Sequence, residues 1–286
     1  MKFGISIPNN QGVDSVRELV AIAVEAEQLG YDSGWVSEHL FHASYVAARL
    51  GNRPYHEALV VLTAVATLTE RLRLGTSVLV LPWHHPARLA KQIASLDQLS
   101  GGRVVLGVGV AQTPDEFANL GVPYATRGAV TDDAIRALRA LWSEDVPAYD
   151  GEHFRFEGLR FAPKPRQARL PILIGGNSPR ALRRVRELGD AWHAMSLSVD
   201  EVRAAMPGTG GKPGSIRLVL EFTDAPPPRA VHERRSLKGT PEELVQQVRG
   251  YAAAGIEEIV VDANLPDVAA TRACYRRFRN EVMAAL

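Results

Sequence analysis

The stretch Leu72-Arg-Leu-Gly-Thr-Ser-Val-Leu-Val80, the run Pro86 to Leu99, and Ser100-Gly-Gly-Arg-Val-Val-Leu-Gly-Val108 together decide the fold. The first segment is a run of apolar and β-branched residues, the pattern of a strand buried on both faces. Pro86 suits the first turn of a helix, and Leu89, Ile93, Leu96 and Leu99 then recur on one face. Ser100-Gly101-Gly102 turns the chain, and Arg103 to Val108 reads as a second buried strand. Strand, crossover helix and strand in this order predict a parallel pair with a right-handed connection.

The same unit repeats outward in both directions. Towards the N-terminus, Phe3 to Ile7 and Ser33 to Ser37 read as strands, with a helix after an Asp14 N-cap and another over residues 57–69. Towards the C-terminus, a helix over 131–142 leads to an Asp150-Gly151 turn between alternating segments, which predicts a β-hairpin. Strands follow at 171–174, 191–194, 216–222 and 258–261, with helices at 179–188, 241–253 and about 268–284. Thr240 and Glu243 have the spacing of a capping box. Eight strands with helical stretches after them predict a (β/α)8 TIM barrel, one domain over residues 1–286, with the hairpin inserted between strands four and five. An open doubly wound sheet is the alternative topology.

Composition narrows the class. The chain has 286 residues with 33 Lys plus Arg against 32 Asp plus Glu, a net charge of +1 that speaks against a dedicated nucleic-acid binder. A single cysteine, Cys274, leaves no internal disulfide and no Cys-rich zinc site. Met1-Lys-Phe-Gly-Ile-Ser-Ile-Pro8 has no long apolar run behind its basic residue, and no segment has the length of a membrane span. The expectation is a soluble cytoplasmic protein.

Barrel active sites lie at the C-terminal ends of the strands, so those ends carry the candidates. Strand two runs into Ser37-Glu38-His39-Leu40-Phe41-His42. A histidine there suits a general base or proton shuttle, because imidazole ordinarily titrates near neutrality; the bland reading is a histidine bonded to its own loop. Glu38, His39 and His42 also suggest a metal site, but no second carboxylate–histidine cluster supports one, and no metal is expected. Strand four ends in Gly107-Val108-Gly109-Val110-Ala111-Gln112, where glycines permit a close approach of another group. Strand five ends in Gly175-Gly176-Asn177-Ser178-Pro179, a glycine turn entering a helix. Its free N–H groups favour an anion, and a phosphate is the better reading than an ordinary capped loop.

Taken together, these segments resemble the bacterial luciferase-like monooxygenase superfamily, and within it the branch that uses the deazaflavin coenzyme F420. The resemblance rests on Tyr31-Asp-Ser-Gly-Trp-Val-Ser-Glu-His39, Thr69-Glu-Arg-Leu-Arg-Leu-Gly-Thr-Ser-Val78, His85-Pro-Ala-Arg-Leu-Ala-Lys91, Ser95-Leu-Asp-Gln-Leu-Ser-Gly-Gly-Arg103, Leu106-Gly-Val-Gly109 and Ile174-Gly-Gly-Asn-Ser-Pro179. Phe156-Glu-Gly-Leu159 and Pro163-Lys-Pro165 fit between them. The agreement in order and spacing covers roughly residues 1–195; beyond it only the barrel pattern and Gly239-Thr-Pro-Glu-Glu243 match.

The resemblance implies an isoalloxazine-like ring in the barrel mouth. It places His39 beside the reactive ring as the catalytic residue and a cis peptide at Ser77-Val78 behind it. Gly107, Gly109, Val110, Ala111 and Gln112 would lie along the cofactor's ribityl chain, and Gly175, Gly176, Asn177 and Ser178 on its phosphate. Some relatives end the strand-four loop in glutamate. Gln112 cannot serve as that acid, so His39 is expected to handle protons alone or with a group on the substrate.

The implied activity is hydride transfer between coenzyme F420 and a small organic substrate, in a protein that could form a homodimer. The alternatives are an FMN-dependent monooxygenase using reduced flavin and oxygen, a metal-dependent barrel hydrolase built on Glu38, His39 and His42, and a flavin-binding protein without catalysis. Substrate contacts are expected from the loops at 40–56 and 225–237 and from the end of strand seven.

Overall fold

The computed structural model describes residues 1–225, 236–265 and 267–286. Eight parallel strands close into a barrel: β1 (Lys2–Ser6), β2 (Ser33–Val36), β3 (Arg73–Thr76), β4 (Val104–Gly109), β5 (Ile172–Gly175), β6 (Ala191–Met195), β7 (Gly214–Phe222) and β8 (Ile256–Asp262). Each pairs with its neighbour in chain order, β6 pairs β7 (Gly214 opposite Trp192), and β8 pairs β1 (Lys2 opposite Glu258), which completes the ring. The open-sheet alternative is thereby excluded.

Helices surround the barrel: α1 (Val16–Gln28), α2 (Ser44–Leu50), α3 (Ala58–Leu68), α4 (Pro86–Leu99), α5 (Pro114–Asn119), α6 (Arg127–Ser143), α7 (Pro179–Leu188), α8 (Val199–Ala205), α9 (Pro241–Ala253) and α10 (Val268–Arg277). Leu89, Ile93 and Leu96 of α4 are buried as their spacing requires, whereas Leu99 ends the helix half exposed to solvent. The Thr240–Glu243 capping box forms in both directions at the start of α9. The first helix begins one residue later than its sequence suggested, with Ser15 at the N-cap. The last helix changes to a wider turn at Phe278–Val282 instead of running on to residue 284.

Three short additions decorate the barrel, one of them a strand at Ser236–Gly239 that pairs in parallel with Val219 to Phe222 of β7. The run 72–80 is not one strand: it breaks after Thr76 at a cis Ser77–Val78 peptide and resumes at Leu79–Val80 beside the end of β4. Between β4 and β5, Tyr149–Asp150 and Arg155–Phe156 form a separate antiparallel ladder, with Tyr149 opposite Phe156. Asp133 of α6 holds its connection by accepting from the His153 and Phe154 amides at 2.7 and 3.1 Å. The stretch Pro226-Pro227-Pro228 and most of the 225–237 loop lie outside the described residues.

The N-terminal face of the barrel is tied by side chains that serve the backbone. Arg103, just before β4, donates to the carbonyls of Ser100, Leu72 and Thr69 at 2.7 Å, of Ala66 at 3.0 Å, and to Thr69 Oγ1 at 2.9 Å. Glu27 of α1 accepts from the amides of Arg71 and Leu72 at 2.6 and 2.7 Å. These contacts satisfy the carbonyls at the end of α3 and the amides at the start of β3, groups that helix and sheet leave unpaired. No helix among the described residues is long and apolar enough to cross a membrane.

Candidate active site

The C-terminal ends of the strands surround a cavity of about 620 Å³, large enough for a cofactor and a small substrate together. His39, Ser77, Val78, Gly109, Val110, Ala111, Gln112, Gly175, Gly176, Asn177 and Ser178 all line it, so the strand-end residues converge as expected. Gly107 does not. It lies one pair deeper, where its amide donates to Thr76 Oγ1 at 2.9 Å and a Cβ would stand 1.9 Å from the Thr76 carbonyl oxygen. Its missing side chain lets two strands pack, rather than making room for a ligand.

The floor of the cavity is Val78. Glycines flank it: a Cβ on Gly109 would meet Val78 Cγ2 at 2.6 Å, and one on Gly175 would meet Cγ1 at 2.7 Å. Beneath the floor a chain of buried polar groups fixes the cis peptide. Ser77 Oγ bonds His193 Nε2 at 2.7 Å, His193 Nδ1 bonds Ser215 Oγ at 2.7 Å, and the imidazole stacks on Trp35 at 5.0 Å. Burial, with the Arg217 charge, pushes the His193 pKa down to about 3, so this imidazole is neutral. Arg217 of β7 donates to the Ser77 carbonyl at 3.2 Å and to Asp262 Oδ2 at 2.6 Å.

On one wall stands His39. Its Nδ1 lies 2.6 Å from Glu116 Oε2, and its Nε2 lies 2.6 Å from the Tyr45 hydroxyl. Glu116 is fully buried and also accepts from the amides of Leu40 and Phe41 and from Thr113 Oγ1, at 3.0, 3.1 and 2.8 Å. Every neighbour offers it a hydrogen, so it accepts from His39 Nδ1–H and leaves Nε2 as the acceptor facing Tyr45. His39 therefore has a protein carboxylate on Nδ1, a contact the sequence reading does not include. Gln112 sits exposed at the rim, and the carboxylate comes from α5, one helical turn later in sequence. Only the spacing Thr113-x-x-Glu116 at a helix start marked it in the sequence, and that spacing reads as a capping box.

The opposite wall is the turn between β5 and α7. Gly176 takes φ +115°, a conformation that side chains rarely adopt. The Asn177 Nδ2 donates to the Met195 carbonyl at 2.8 Å and its Oδ1 accepts from the Met195 amide at 3.2 Å, which leaves the second N–H of the side-chain amide uncommitted. Ser178 Oγ caps α7 by accepting from the Ala181 amide. These side-chain contacts hold the backbone turn ahead of α7 in place.

The three residues of the suggested metal site go separate ways. Glu38 bonds His84 Nε2 at 2.9 Å and the Val80 amide at 2.7 Å, His39 bonds Glu116, and His42 bonds the Gly51 carbonyl at 2.9 Å. Burial alone would lower the His84 pKa; the Glu38 hydrogen bond and charge override it and hold the imidazole above its ordinary range. Among the described residues no group of three or more His, Cys, Asp or Glu could hold a metal ion.

A closed parallel barrel with a cavity at the C-terminal mouth of its strands is the architecture of a barrel enzyme. The chain belongs to the luciferase-like monooxygenase family, whose profile matches residues 1–209. An uncharacterized protein of Mycobacterium tuberculosis is 35% identical over 184 residues, which is 60% of this chain and 63% of the relative. The FMNH(2)-dependent dimethylsulfone monooxygenase of Pseudomonas putida is 29% identical over 85% of this chain and 71% of its own. The F420-dependent glucose-6-phosphate dehydrogenase of Amycolatopsis mediterranei is 32% identical over 66% of this chain and 58% of its own. In structure, an F420-dependent secondary alcohol dehydrogenase superposes with a TM-score of 0.82 at 18% identity, covering 100% of this chain and 99% of that one. The FMN-bound oxygenating component of a Pseudomonas putida diketocamphane monooxygenase gives 0.78 at 18%, with coverages of 100% and 99%. At such identities these likenesses speak for the fold.

Proposed function

We propose that the protein is an oxidoreductase that moves a hydride between coenzyme F420 and a small organic substrate. The observation that carries this reading is the bare floor around Val78, which Gly109 and Gly175 keep clear of side chains. A flat ring fits on that floor, with Gly109 to Gln112 beside its chain and the N–H groups of the β5–α7 turn on its phosphate. When bound, a deazaflavin supplies two-electron hydride chemistry.

The protein supplies geometry and a proton path. His39 Nε2 accepts the proton released by a substrate hydroxyl that takes the place of the Tyr45 hydroxyl, or returns it to a carbonyl oxygen in the reverse direction. Glu116 holds the imidazole by Nδ1 and stabilises the imidazolium that forms. Glu38 serves elsewhere, anchoring the Leu79–Val80 segment behind the floor.

A second reading, reduced FMN with oxygen, draws support from the length of one likeness. The dimethylsulfone monooxygenase matches 85% of this chain, against 66% for the F420-dependent dehydrogenase. A binding titration with F420, FMN and FAD tests the two. F420 is expected to bind more tightly than either flavin. FMN binding as tightly or more so, with substrate-dependent oxygen uptake, would replace the F420 reading with the monooxygenase.

A further inference from the structure

The cavity holds cationic groups that the cofactor reading does not use. Arg49 of α2 and Arg217 of β7 both line it. Arg49 is half-buried, its Nε is buried without a hydrogen-bond partner, and no acidic partner faces it among the described residues. Arg217 is 4% exposed; two of its nitrogens serve Ser77 and Asp262, and its Nε is buried without a partner.

Unmade hydrogen bonds on buried charged groups are costly, and a native site retains them where a ligand completes them. Both arginines also act on one point. The Tyr55 hydroxyl, bonded to Ser37 Oγ at 3.1 Å, feels the charge of each, although burial dominates and pushes its pKa up. Tyr55 in turn packs edge-on against His39 at 5.7 Å between ring centres. The cationic corner is therefore next to the proton acceptor. Glu38 is the one carboxylate lining the cavity among the described residues, and His84 already engages it.

We infer that the substrate carries an anionic group, a carboxylate, sulfonate or phosphate, held by Arg49 and Arg217 while its reacting carbon faces His39. The inference rests on the oxidoreductase reading for its reaction, not for its binding. Guanidinium N–H groups match such oxyanions in geometry as well as charge. Arg49 supplies the net charge, because Arg217 is balanced by Asp262 and contributes the N–H donors that Ser77 and Asp262 leave unused.

The test uses the cofactor-loaded full chain and pairs of small ketones and alcohols, each with a carboxylate or the corresponding amide. Inorganic sulfate is the competitor. The carboxylate member should bind about 10- to 100-fold more tightly, the size of one or two charge-assisted hydrogen bonds, and sulfate should displace it. Arg49→Met should abolish that preference and leave amide binding and cofactor affinity unchanged. Arg217→Lys, which keeps a cation beside Asp262, should lose part of it.

Equal binding of carboxylates and amides overturns the inference. So does an Arg49→Met protein that keeps the preference, or one in which cofactor affinity falls by the same factor, since the arginine would then serve the cofactor. A protein that binds neither F420 nor FMN, yet binds sulfate through Arg49, would sink the proposed function and leave the anion site standing.

Discussion

Two arginines at opposite ends of the barrel show how differently one residue type is used. Arg103, on the N-terminal face, directs all five of its N–H donors to backbone carbonyls and a threonine hydroxyl. Arg217, under the C-terminal mouth, is more deeply buried and still keeps Nε without a partner. The two sites differ in how far the side chain's hydrogen bonds are completed within the chain, and a buried donor without a partner costs free energy that a completed one does not.

That contrast can be broken from either end. The largest effect belongs to the open face. His39→Ala should lower kcat by roughly 10²–10⁴-fold, the usual size of a general acid–base contribution. Wild-type turnover in His39→Gln would show that the imidazole only fills space. On the closed face, Arg103→Met should cost about 3 kcal/mol in urea unfolding, because several carbonyls at the end of α3 lose their donor. Cofactor affinity of the folded protein should be unchanged. A shift in affinity without a shift in stability would erase the distinction between the two faces.

Smaller effects sharpen the picture. Gly176→Val forces a β-branched residue into φ +115° with its Cβ 3.3 Å from Ala181 Cβ. It should weaken cofactor binding by about 10-fold or more through displacement of the phosphate turn, given ~1–3 kcal/mol of backbone strain. Unchanged affinity in a folded Gly176→Val protein would remove that turn from the binding site.

His193 tests the layer between the faces. Its pKa is depressed from 6.5 to about 3 in the folded state, so the unfolded chain binds the proton first. Its contribution is complete above about pH 6.5 and is lost as pH falls towards 3, by up to ~1.4 kcal/mol per pH unit. Comparing wild type with His193→Gln between pH 4 and pH 7 isolates that slope; parallel curves would mean that the imidazole is not buried neutral. Gln112→Ala, at the exposed rim, should change kcat least of all, by less than about threefold, since an amide does not exchange protons.

Much of the fold was legible because the repeated unit is local. Pro86, the Leu89-Ile93-Leu96 face and the Ser100-Gly101-Gly102 turn specify strand, helix and strand without reference to the rest of the chain. The candidate site was legible where glycines mark it, at Gly109, Gly175 and Gly176. It is not legible where a side chain's surroundings depend on a distant partner: the Met195 backbone engages the Asn177 side chain from 18 residues away, and the Thr76 carbonyl stands where a Gly107 Cβ would be. Glu116, 77 residues from His39, carried no mark beyond a capping pattern.

The order of strands and helices, and the strand ends at which a site lies, follow from the residues along the chain, whereas closure into a barrel rather than an open sheet rests on the pairing of β8 with β1. Periodicity, proline and glycine act over a few residues, and parallel pairing with right-handed crossovers leaves few ways to assemble the units. The folded chain is what puts Glu116 on His39, Glu38 on His84, and Arg217 on Ser77 and Asp262 with its Nε buried without a partner. Those roles depend on distances of about 3 Å between side chains that barrel closure brings together, and spacing along the chain does not encode such distances.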